Sequence, residues 1–505
     1  MATNLVNIIF GMKLRQARME VNLTLTEFAQ QCELSPSYVT EIEKGRKYPR
    51  VDKIMRIAEV LDKTYDELVS IKLEPSLTYL ESTLSSSAFQ RFPFEEFGFE
   101  ASYLITLLTR QPDRASALLH GMLELTRRYS LNTEDFLRAA LRAYQEIHEN
   151  YFQELEDAAT QFTEEVGGEF GLSKRALPIN QSVMENILTE KYGYVIDRET
   201  IPNTPALHKF RSVIVPGKNP HLLLNPALHP QQVRFVLARE LGSRFLKIED
   251  RVYTSPPDNI ETFQQIHNYF RAAYFGGALL MPRKQLLPDV EHFFSQSTWK
   301  PQLLYDMLKK YDVTPVMLLY RFSELIPQFF GIKLHFLRFQ HSHGSRNYQL
   351  IRQLNMNRLL VPTGIGLDEN YCRRWLSVSL LRDIKEHPDV TELLDQPHIG
   401  VQYSEFLESG DQFFCIGFSV PEGLNPEMNT SVIVGFRVDS ELKNVIQFTN
   451  DPAVPREIIN ETCERCRLTP EQCAVRVTPP IRLQAQEERR ARRMILADLK
   501  KKFNS

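Results

Sequence analysis

The chain has 505 residues, a hydrophobic content of 43% and a formal net charge of −3. This length predicts several domains with apolar cores, and the near-neutral charge excludes a protein that coats nucleic acid over its whole surface. It contains no apolar run of about eighteen residues, and its N-terminus lacks the apolar segment of a secretory signal. We therefore expect a cytoplasmic protein that does not enter a membrane.

Residues 24–50 carry the pattern of two short helices joined by a tight turn. Thr24 and Glu27 have the spacing of a capping box at the start of the first helix. Ser35 is followed by proline, which is typical of a second helix start, and Gly45 marks the end of that helix. The polar outer face and the basic residues after it suit a DNA groove and its phosphates.

The side chains expected to contact double-stranded DNA lie on this outer face and in the basic stretch. They are Thr24, Thr26, Ser35, Ser37, Tyr38, Thr40, Glu41, Lys44, Arg46 and Lys47. Through the pattern L-S-x-S-Y-V-T-x-I-E-x-G-x-x-x-P, residues 8–70 resemble the lambda-repressor-like (XRE) DNA-binding domain. Leu25 stands where that family often has a Gln that contacts DNA. We assign residues 1–72 to this domain.

Residues 73–165 are predicted to form a helical linker. Their apolar residues recur at helical spacing, and Pro and Gly are scarce after Leu80. Because helix-turn-helix proteins read paired half-sites as dimers, this segment is a candidate dimerisation bundle for a homodimer or higher homo-oligomer. A bundle that packs only within one chain is the alternative.

Residues 175–330 are predicted to form an α+β unit, with three short strands before a helix over residues 230–248. The segments FVLARELGSRF and YFGGALLMPR resemble the ImmA/IrrE metallopeptidases. In that family a His-Glu-x-x-His helix binds zinc through two imidazoles, and its Glu acts as general base. Arg239 and Ser243 stand at the two His positions here, and Glu240 alone remains.

A guanidinium is always charged and cannot ligate zinc, so we expect a degenerate zincin-like domain that is not an enzyme. Glu240 is expected to pair with Arg239, Arg244 or Arg271. A fold that keeps its cleft can bind a small molecule with an apolar tail and an anionic group. Arg239, Arg271 and Tyr274 are the candidate effector-binding residues, and packing of the helix against the sheet is the alternative role.

Residues 331–481 return to strand-like patterns and are predicted to form a mixed α/β sensor domain with a Cys-rich hook. Three of the six cysteines, Cys463, Cys466 and Cys473, follow C-x2-C-x6-C. This spacing is typical of a chelating loop, with Cys372 as the candidate fourth ligand. We expect an iron–sulfur cluster of the 4Fe-4S type, with zinc as the alternative.

Residues 482–505 are predicted to be a basic tail helix, which could contact DNA or simply be solvated. The fold class is therefore multidomain and mainly α with α+β parts. The XRE head, the degenerate ImmA/IrrE unit, a C-x-x-W element and the Cys-rich hook together resemble the short-chain fatty acyl transcriptional regulators, the PrpR/RamB-like family.

That resemblance implies control of propionate, acetate or glyoxylate genes, a short-chain acyl-CoA effector and an iron–sulfur cluster. We therefore expect a DNA-binding transcriptional regulator that senses a short-chain acyl-CoA. An iron–sulfur or redox sensor is the alternative function, and a metallopeptidase that cleaves a repressor is a third.

Overall fold

The structure is a computed structural model that describes residues 5–70, 96, 133–172, 177–357, 359, 369–384 and 397–503. The chain divides into two compact units, residues 1–144 with 260–263 and residues 145–259 with 264–505. The finer division into five segments stays a prediction. Within the described residues, no helix combines the length and the apolar character needed to cross a lipid bilayer.

The first unit begins with five short helices. They are α1 (Leu5–Glu20), α2 (Leu25–Gln31), α3 (Pro36–Glu43), α4 (Val51–Val60) and α5 (Tyr65–Val69). The predicted starts of α2 and α3 are confirmed, because Thr24 and Ser35 accept hydrogen bonds from backbone N–H groups in their first turns. Gly45 adopts a φ of 67°, the left-handed conformation that ends a helix at little cost.

The inner faces of these helices form one apolar core. Its buried members include Phe10, Leu14, Phe28, Val39, Ile42, Ile54, Ile57 and Leu61. Helices α1 and α3 approach closely, since a Cβ at Gly11 would lie 2.4 Å from the carbonyl oxygen of Ile42. The core thus fixes the outer face of α3 relative to its neighbours.

Two helices of the predicted linker are described, α6 (Thr133–Ile147) and α7 (Gln153–Glu169). Apart from residue 96, the segment 71–132 lies outside the described residues. The dimerisation bundle therefore stays a prediction.

The second unit continues with a small sheet and the helix of interest. Its elements are α8 (Gln181–Asn186), β1 (Val195–Asp197), β2 (Ser212–Val215), β3 (His221–Leu224), α9 (Pro230–Phe245) and β4 (Thr254–Ser255). The strand order is β1-β3-β2-β4, with β1 parallel to β3 and the other pairs antiparallel. The three predicted strands and the helix α9 are confirmed, whereas β4 is too short to carry a pattern.

Four helices follow this sheet. They are α10 (Phe263–Leu280), α11 (Arg283–Phe294), α12 (Gln302–Tyr311) and α13 (Pro315–Phe330). Glycines allow α9 and α10 to touch: a Cβ at Gly242 would lie 2.6 Å from the Phe275 ring, and one at Gly276 would lie 3.0 Å from the Arg239 nitrogen. Close packing of α10 therefore holds the Arg239–Glu240 turn in place.

The C-terminal part is a larger sheet that contacts α13 and also the helix that follows β6. Its elements are β5 (Leu334–Ser342), β6 (Gln349–Asn355), α14 (Leu376–Asp383), β7 (His398–Phe406), β8 (Gln412–Glu422), β9 (Asn425–Arg437), α15 (Ser440–Val445), β10 (Arg456–Ile459) and α16 (Ile481–Phe503). The order is β10-β7-β8-β9-β5-β6, and only β10 and β7 run parallel. Strands β7 and β10 were not predicted.

Helix α14 packs on this sheet through Trp375, Leu376 and Leu380, which share a buried cluster with Ile433. Gly400 in β7 permits the contact, since a Cβ there would lie 2.9 Å from the side chain of Leu380. This packing positions Cys372, which precedes α14 by one turn.

Candidate functional site

The predicted DNA-contacting residues remain accessible in the first unit. Thr24, Thr26, Ser35, Ser37, Arg46 and Lys47 are exposed, and Tyr38, Thr40, Glu41 and Lys44 are partly exposed. Several of their polar groups are already used locally: the Thr24 hydroxyl donates to Glu27 at 2.7 Å, and the Thr40 hydroxyl donates to the Pro36 carbonyl at 2.8 Å. These hydroxyl groups therefore stabilise the first turns of α2 and α3 in addition to forming part of the outer face.

Two lysine ammonium groups lie close to the aromatic ring of Tyr38 in α3. The ammonium of Lys53 lies 4.2 Å from the ring centroid, and that of Lys47 lies 5.7 Å away. Arg46 forms an ion pair with Glu41 at 3.3 Å. Lys53 was not among the predicted contacts, although its place in the first turn of α4, just after the basic stretch, could have suggested it.

A partly buried ion pair that the sequence interpretation missed joins α1 to the end of α3. Arg18 donates to both carboxylate oxygens of Glu43, at 2.6 and 3.0 Å, and also to the Leu23 carbonyl at 2.7 Å. The signal was an acidic residue on the buried face of α3, which requires a partner. This bidentate pair fixes the end of α3 from which the basic stretch starts.

At the degenerate metal centre, the guanidinium of Arg239 is tied to three hydroxyl groups. It donates to Ser255 and Tyr269 at 2.7 Å each and to Ser212 at 3.1 Å. These partners come from β4, α10 and β2, so one cation links three elements where the related peptidases hold zinc. The residues present do not fit a zinc site, because a fixed cation fills the place of the first imidazole.

Glu240 is held by partners of its own in the same turn. It accepts hydrogen bonds from the Tyr194 hydroxyl and, at 2.8 Å, from Arg251. The expected partner was Arg239, Arg244 or Arg271, and this expectation was wrong because Arg251 comes from the loop after α9. Burial and then the Glu240 charge raise the pKa of Tyr194. The carboxylate is thus neutralised inside the protein.

Three arginines lie close to Tyr269, namely Arg211, Arg239 and Arg352. Arg338 shares the Glu422 carboxylate with Arg211, and we call these four arginines the guanidinium cluster. Burial alone would raise the pKa of Tyr269, but the charge of Arg239, a hydrogen bond with Ser255 and the charges of Arg211 and Arg352 lower it overall. The Tyr269 side chain is partly exposed. The nearby guanidinium groups make the surroundings of its hydroxyl positively charged.

One carboxylate forms ion pairs with the guanidinium cluster. Glu422 accepts from Arg338 at 2.7 Å and from Arg211 at 3.4 Å. Arg352 stacks on the Tyr320 ring at 4.0 Å, and within the described residues neither it nor Arg239 forms an ion pair. The cluster therefore carries an excess of positive charge.

The other two predicted effector residues have separate partners. Arg271 is partly exposed and donates to Asn268 at 3.3 Å. The hydroxyl of Tyr274, whose side chain is 1% exposed, donates to Glu156 at 2.9 Å. The structure thus places Arg239 in the guanidinium cluster and Tyr274 in the core.

That core contains a buried ionic triad. Arg321 donates to Glu156 at 2.6 and 2.9 Å and to Glu324 at 2.8 Å, and all three side chains are at most 3% exposed. Burial raises the pKa of Glu324 to about 8, against the opposing effect of Arg321. One guanidinium thus stabilises two carboxyl groups from α7 and α13.

All four predicted metal ligands are buried and free of disulfides: Cys372, Cys463, Cys466 and Cys473. Backbone pairing brings the first two together, because Cys372 N–H donates to the Glu461 carbonyl at 3.2 Å and Cys463 N–H donates to the Asn370 carbonyl at 2.9 Å. Burial raises the pKa of the Cys372 thiol to about 11, and its neighbours Cys463 and Cys466 add to the effect.

Backbone and side-chain donors lie close to three of these cysteines. The backbone N–H groups of Asn460 and Arg374 act to lower the pKa of Cys372, although burial outweighs them. Arg476 donates to the carbonyls of Cys463 and Cys466 at 2.8 and 3.1 Å. Buried cysteines without disulfides are thiols of the kind that bind a soft metal or an iron–sulfur cluster. Within the described part of the chain no three His, Cys, Asp or Glu residues are grouped so as to hold a metal ion, so ligation stays a prediction.

Two families match parts of the chain. Residues 14–68 match the family described as Helix-turn-helix, and residues 190–323 match the IrrE N-terminal-like domain of Peptidase_M78. The second match contains the whole of α9 and α10, and so it includes the degenerate metal centre.

Three known proteins illustrate the likeness. The HTH-type transcriptional regulator RamB of Mycobacterium tuberculosis is 24% identical over 307 residues, 56% of this chain and 59% of RamB. Control protein C.BamHI of Bacillus amyloliquefaciens is 33% identical over 60 residues, 12% of this chain and 74% of that protein. A solved Mycobacterium tuberculosis transcriptional regulator has a TM-score of 0.44 and 18% identity, over 68% of this chain and 94% of that one.

The match thus spans 59% of the length of RamB. The helix-turn-helix match begins within α1 and ends within α5, so it contains α2, α3 and α4. The chain therefore belongs to the XRE-type helix-turn-helix family, carries an IrrE-like domain and is a homologue of the RamB transcriptional regulators.

Proposed function

We propose that the protein is a cytoplasmic transcriptional regulator that binds a double-stranded operator through α2 and α3 as a homodimer or higher homo-oligomer. The observation that carries this proposal is the accessible polar face of α3 followed by exposed Arg46, Lys47 and Arg50. Such a face offers short polar groups to base edges and cations to phosphates.

Replacing Arg46 and Lys47 together with alanine is expected to weaken binding to all duplex sequences alike. Each lost phosphate contact reduces the slope of log K against log salt by about 0.9, so the slope should fall by about 1 to 2. Fluorescence anisotropy with a labelled duplex over a salt series measures this slope.

The matched control is Arg56→Ala with Lys63→Ala, which removes two exposed cations already paired with Glu33 and Glu20. The control should leave the slope near that of the wild type. Equal slopes for all three proteins would reject a phosphate role for Arg46 and Lys47.

The IrrE-like domain is proposed to act as a binding scaffold without peptidase activity. Its support is the hydroxyl-bonded guanidinium of Arg239 and the pairing of Glu240 with Arg251, which leaves the general-base carboxylate neutralised. A bound ligand that favours one arrangement of the protein by a few kcal/mol would suffice to switch DNA binding.

The proposed effector is a short-chain acyl-CoA, and the proposed targets are genes of propionate, acetate or glyoxylate metabolism. Coenzyme A is anionic, and the guanidinium cluster offers unbalanced positive charge beside the partly open Tyr269. Guanidinium groups suit phosphate because their planar donors match its oxygens. The short acyl chain of such a ligand requires only a small apolar surface.

Arg352→Gln is expected to weaken acetyl-CoA or propionyl-CoA binding by about tenfold or more, since a hydrogen bond to a charged group contributes about 1.5–3 kcal/mol. Isothermal titration calorimetry with both acyl-CoAs and with free coenzyme A measures the affinities. Lys309→Gln, which removes an exposed cation from α12, is the control and should bind as the wild type does. Wild-type affinity in Arg352→Gln would remove this cluster from the effector site.

A second candidate function is iron or redox sensing, and the four buried cysteines favour it. Cys372, Cys463, Cys466 and Cys473 would hold the group, which supplies one-electron chemistry when bound. The hydrogen bonds from Arg476 to the Cys463 and Cys466 carbonyls would hold the loop in its conformation. Operator binding compared in air and under anaerobic conditions separates this function from metabolite sensing.

A further inference from the structure

The C-terminal helix α16 is exposed along all of its described side chains except the partly exposed Leu483. Residues 481–497 carry five arginines and two glutamates, a net charge of +3 in a chain of net charge −3. The helix is therefore a second positively charged stretch, besides the basic residues that follow α3.

The charges of α16 are sorted by face. At about 100° per residue, Arg489 and Arg493 lie within about 20° of the line through Arg482, whereas Glu487 and Glu488 lie more than about 100° away. Along the axis, Arg489 and Arg493 stand about 6 Å apart. The helix therefore presents a straight row of guanidinium groups, which we call the arginine stripe (Arg482, Arg489 and Arg493).

Of the three arginines in the arginine stripe, only Arg482 forms an ion pair within the described residues. Arg482 pairs with Glu369 at 3.4 Å, a carboxylate that also binds Arg465 beside the cysteines. The acidic neighbour Glu488 pairs with Arg492 at 3.8 Å. Within the described residues, Arg489 and Arg493 form no ion pair, so their charges are available to a partner.

We propose that Arg489 and Arg493 bind the phosphate backbone of duplex DNA, as an electrostatic contact separate from the helix-turn-helix. This inference rests on the proposed DNA-binding function. A linear row of exposed guanidiniums complements the regularly spaced phosphates of a duplex, and it adds affinity without sequence preference. Met494 and Ile495, which lie more than about 100° from the line through Arg482, face away from this contact.

The test uses the full chain and a labelled duplex of arbitrary sequence, with binding measured over a salt series. Arg489→Gln with Arg493→Gln should reduce the slope of log K against log salt by about 1.8, for two lost phosphate contacts. When the salt concentration rises from 50 to 200 mM, the factor by which affinity falls should therefore be about ten times smaller for the variant than for the wild type. Arg489→Lys with Arg493→Lys keeps the charge and should restore most of the slope.

The matched control is Lys284→Gln with Lys309→Gln, which removes two exposed cations from α11 and α12. The decisive comparison is with Arg46→Ala with Lys47→Ala. If that variant lowers the slope but Arg489→Gln with Arg493→Gln has the slope of the wild type, the DNA contact of the arginine stripe is wrong and the proposed function stands. An equal decrease of the slope in the lysine control would also contradict the proposed contact, because the change in net charge alone would then explain the result. Wild-type protein that ignores duplex DNA at every salt concentration would remove both proposals.

Discussion

Replacing Arg321 with methionine is expected to lower the free energy of unfolding of the second unit by about 3–5 kcal/mol, because removing one partner of a buried ion pair leaves uncompensated charge. Arg321 is 1% exposed and binds both Glu156 and Glu324. Without the guanidinium, two buried carboxyl groups would face each other.

Tryptophan fluorescence during urea unfolding measures this effect selectively. The chain has two tryptophans, Trp299 and Trp375, and both belong to the second unit. Arg198→Met is the control, since Arg198 and Glu185 form a solvent-exposed pair at 2.8 Å that should contribute at most about 1 kcal/mol. Equal midpoints for the two variants would contradict the structural role of Arg321.

A triple variant, Glu156→Gln with Arg321→Met and Glu324→Gln, separates lost charge balance from lost packing. It removes the buried charges together, and we expect it to recover much of the stability lost in Arg321→Met. If it is as unstable as the single variant, the loss comes from the shape of the arginine side chain.

Replacing either Cys463 or Cys466 with alanine is expected to reduce bound iron from a full cluster to almost none. Loss of one thiolate from a set of four leaves the cluster without a required ligand. Iron, zinc and acid-labile sulfide contents of anaerobically purified protein measure the outcome, and they also distinguish an iron–sulfur cluster from zinc.

Cys415→Ala is the control, because this thiol lies within β8 among apolar side chains and burial raises its pKa to about 12. It should keep the metal content of the wild type. Full iron content in Cys463→Ala would show that the ligand assignment is wrong, and zinc without sulfide in the wild type would select the alternative cofactor.

The sequence predicted the helix starts of the first unit because their causes are local. Thr24 and Ser35 reach backbone N–H groups only three residues away, so the pattern and the structure carry the same information. The same holds for α9, whose proline start and apolar spacing were visible in the sequence. Strands β7 and β10 were not predicted, because their sequences lack a clear alternation of polar and apolar residues and because their pairing joins distant segments.

Part of the candidate sites was also visible in the sequence. The replacement of both zinc-binding histidines by Arg239 and Ser243 follows directly from the residue types. The partners of Arg239 could not be inferred, since Ser212, Ser255 and Tyr269 come from three separate elements. The spacing of Cys463, Cys466 and Cys473 indicated a chelating loop.

The sequence by itself determined the helix caps, the apolar faces, the loss of the imidazoles and the cysteine spacing. Only the tertiary structure decided that Cys372 lies beside Cys463, that Arg251 neutralises Glu240 and that Arg321 stabilises two acids. The physical reason is that caps and periodicity depend on interactions over a few residues. A buried charge takes its partner from whichever element the folded core brings within hydrogen-bond distance.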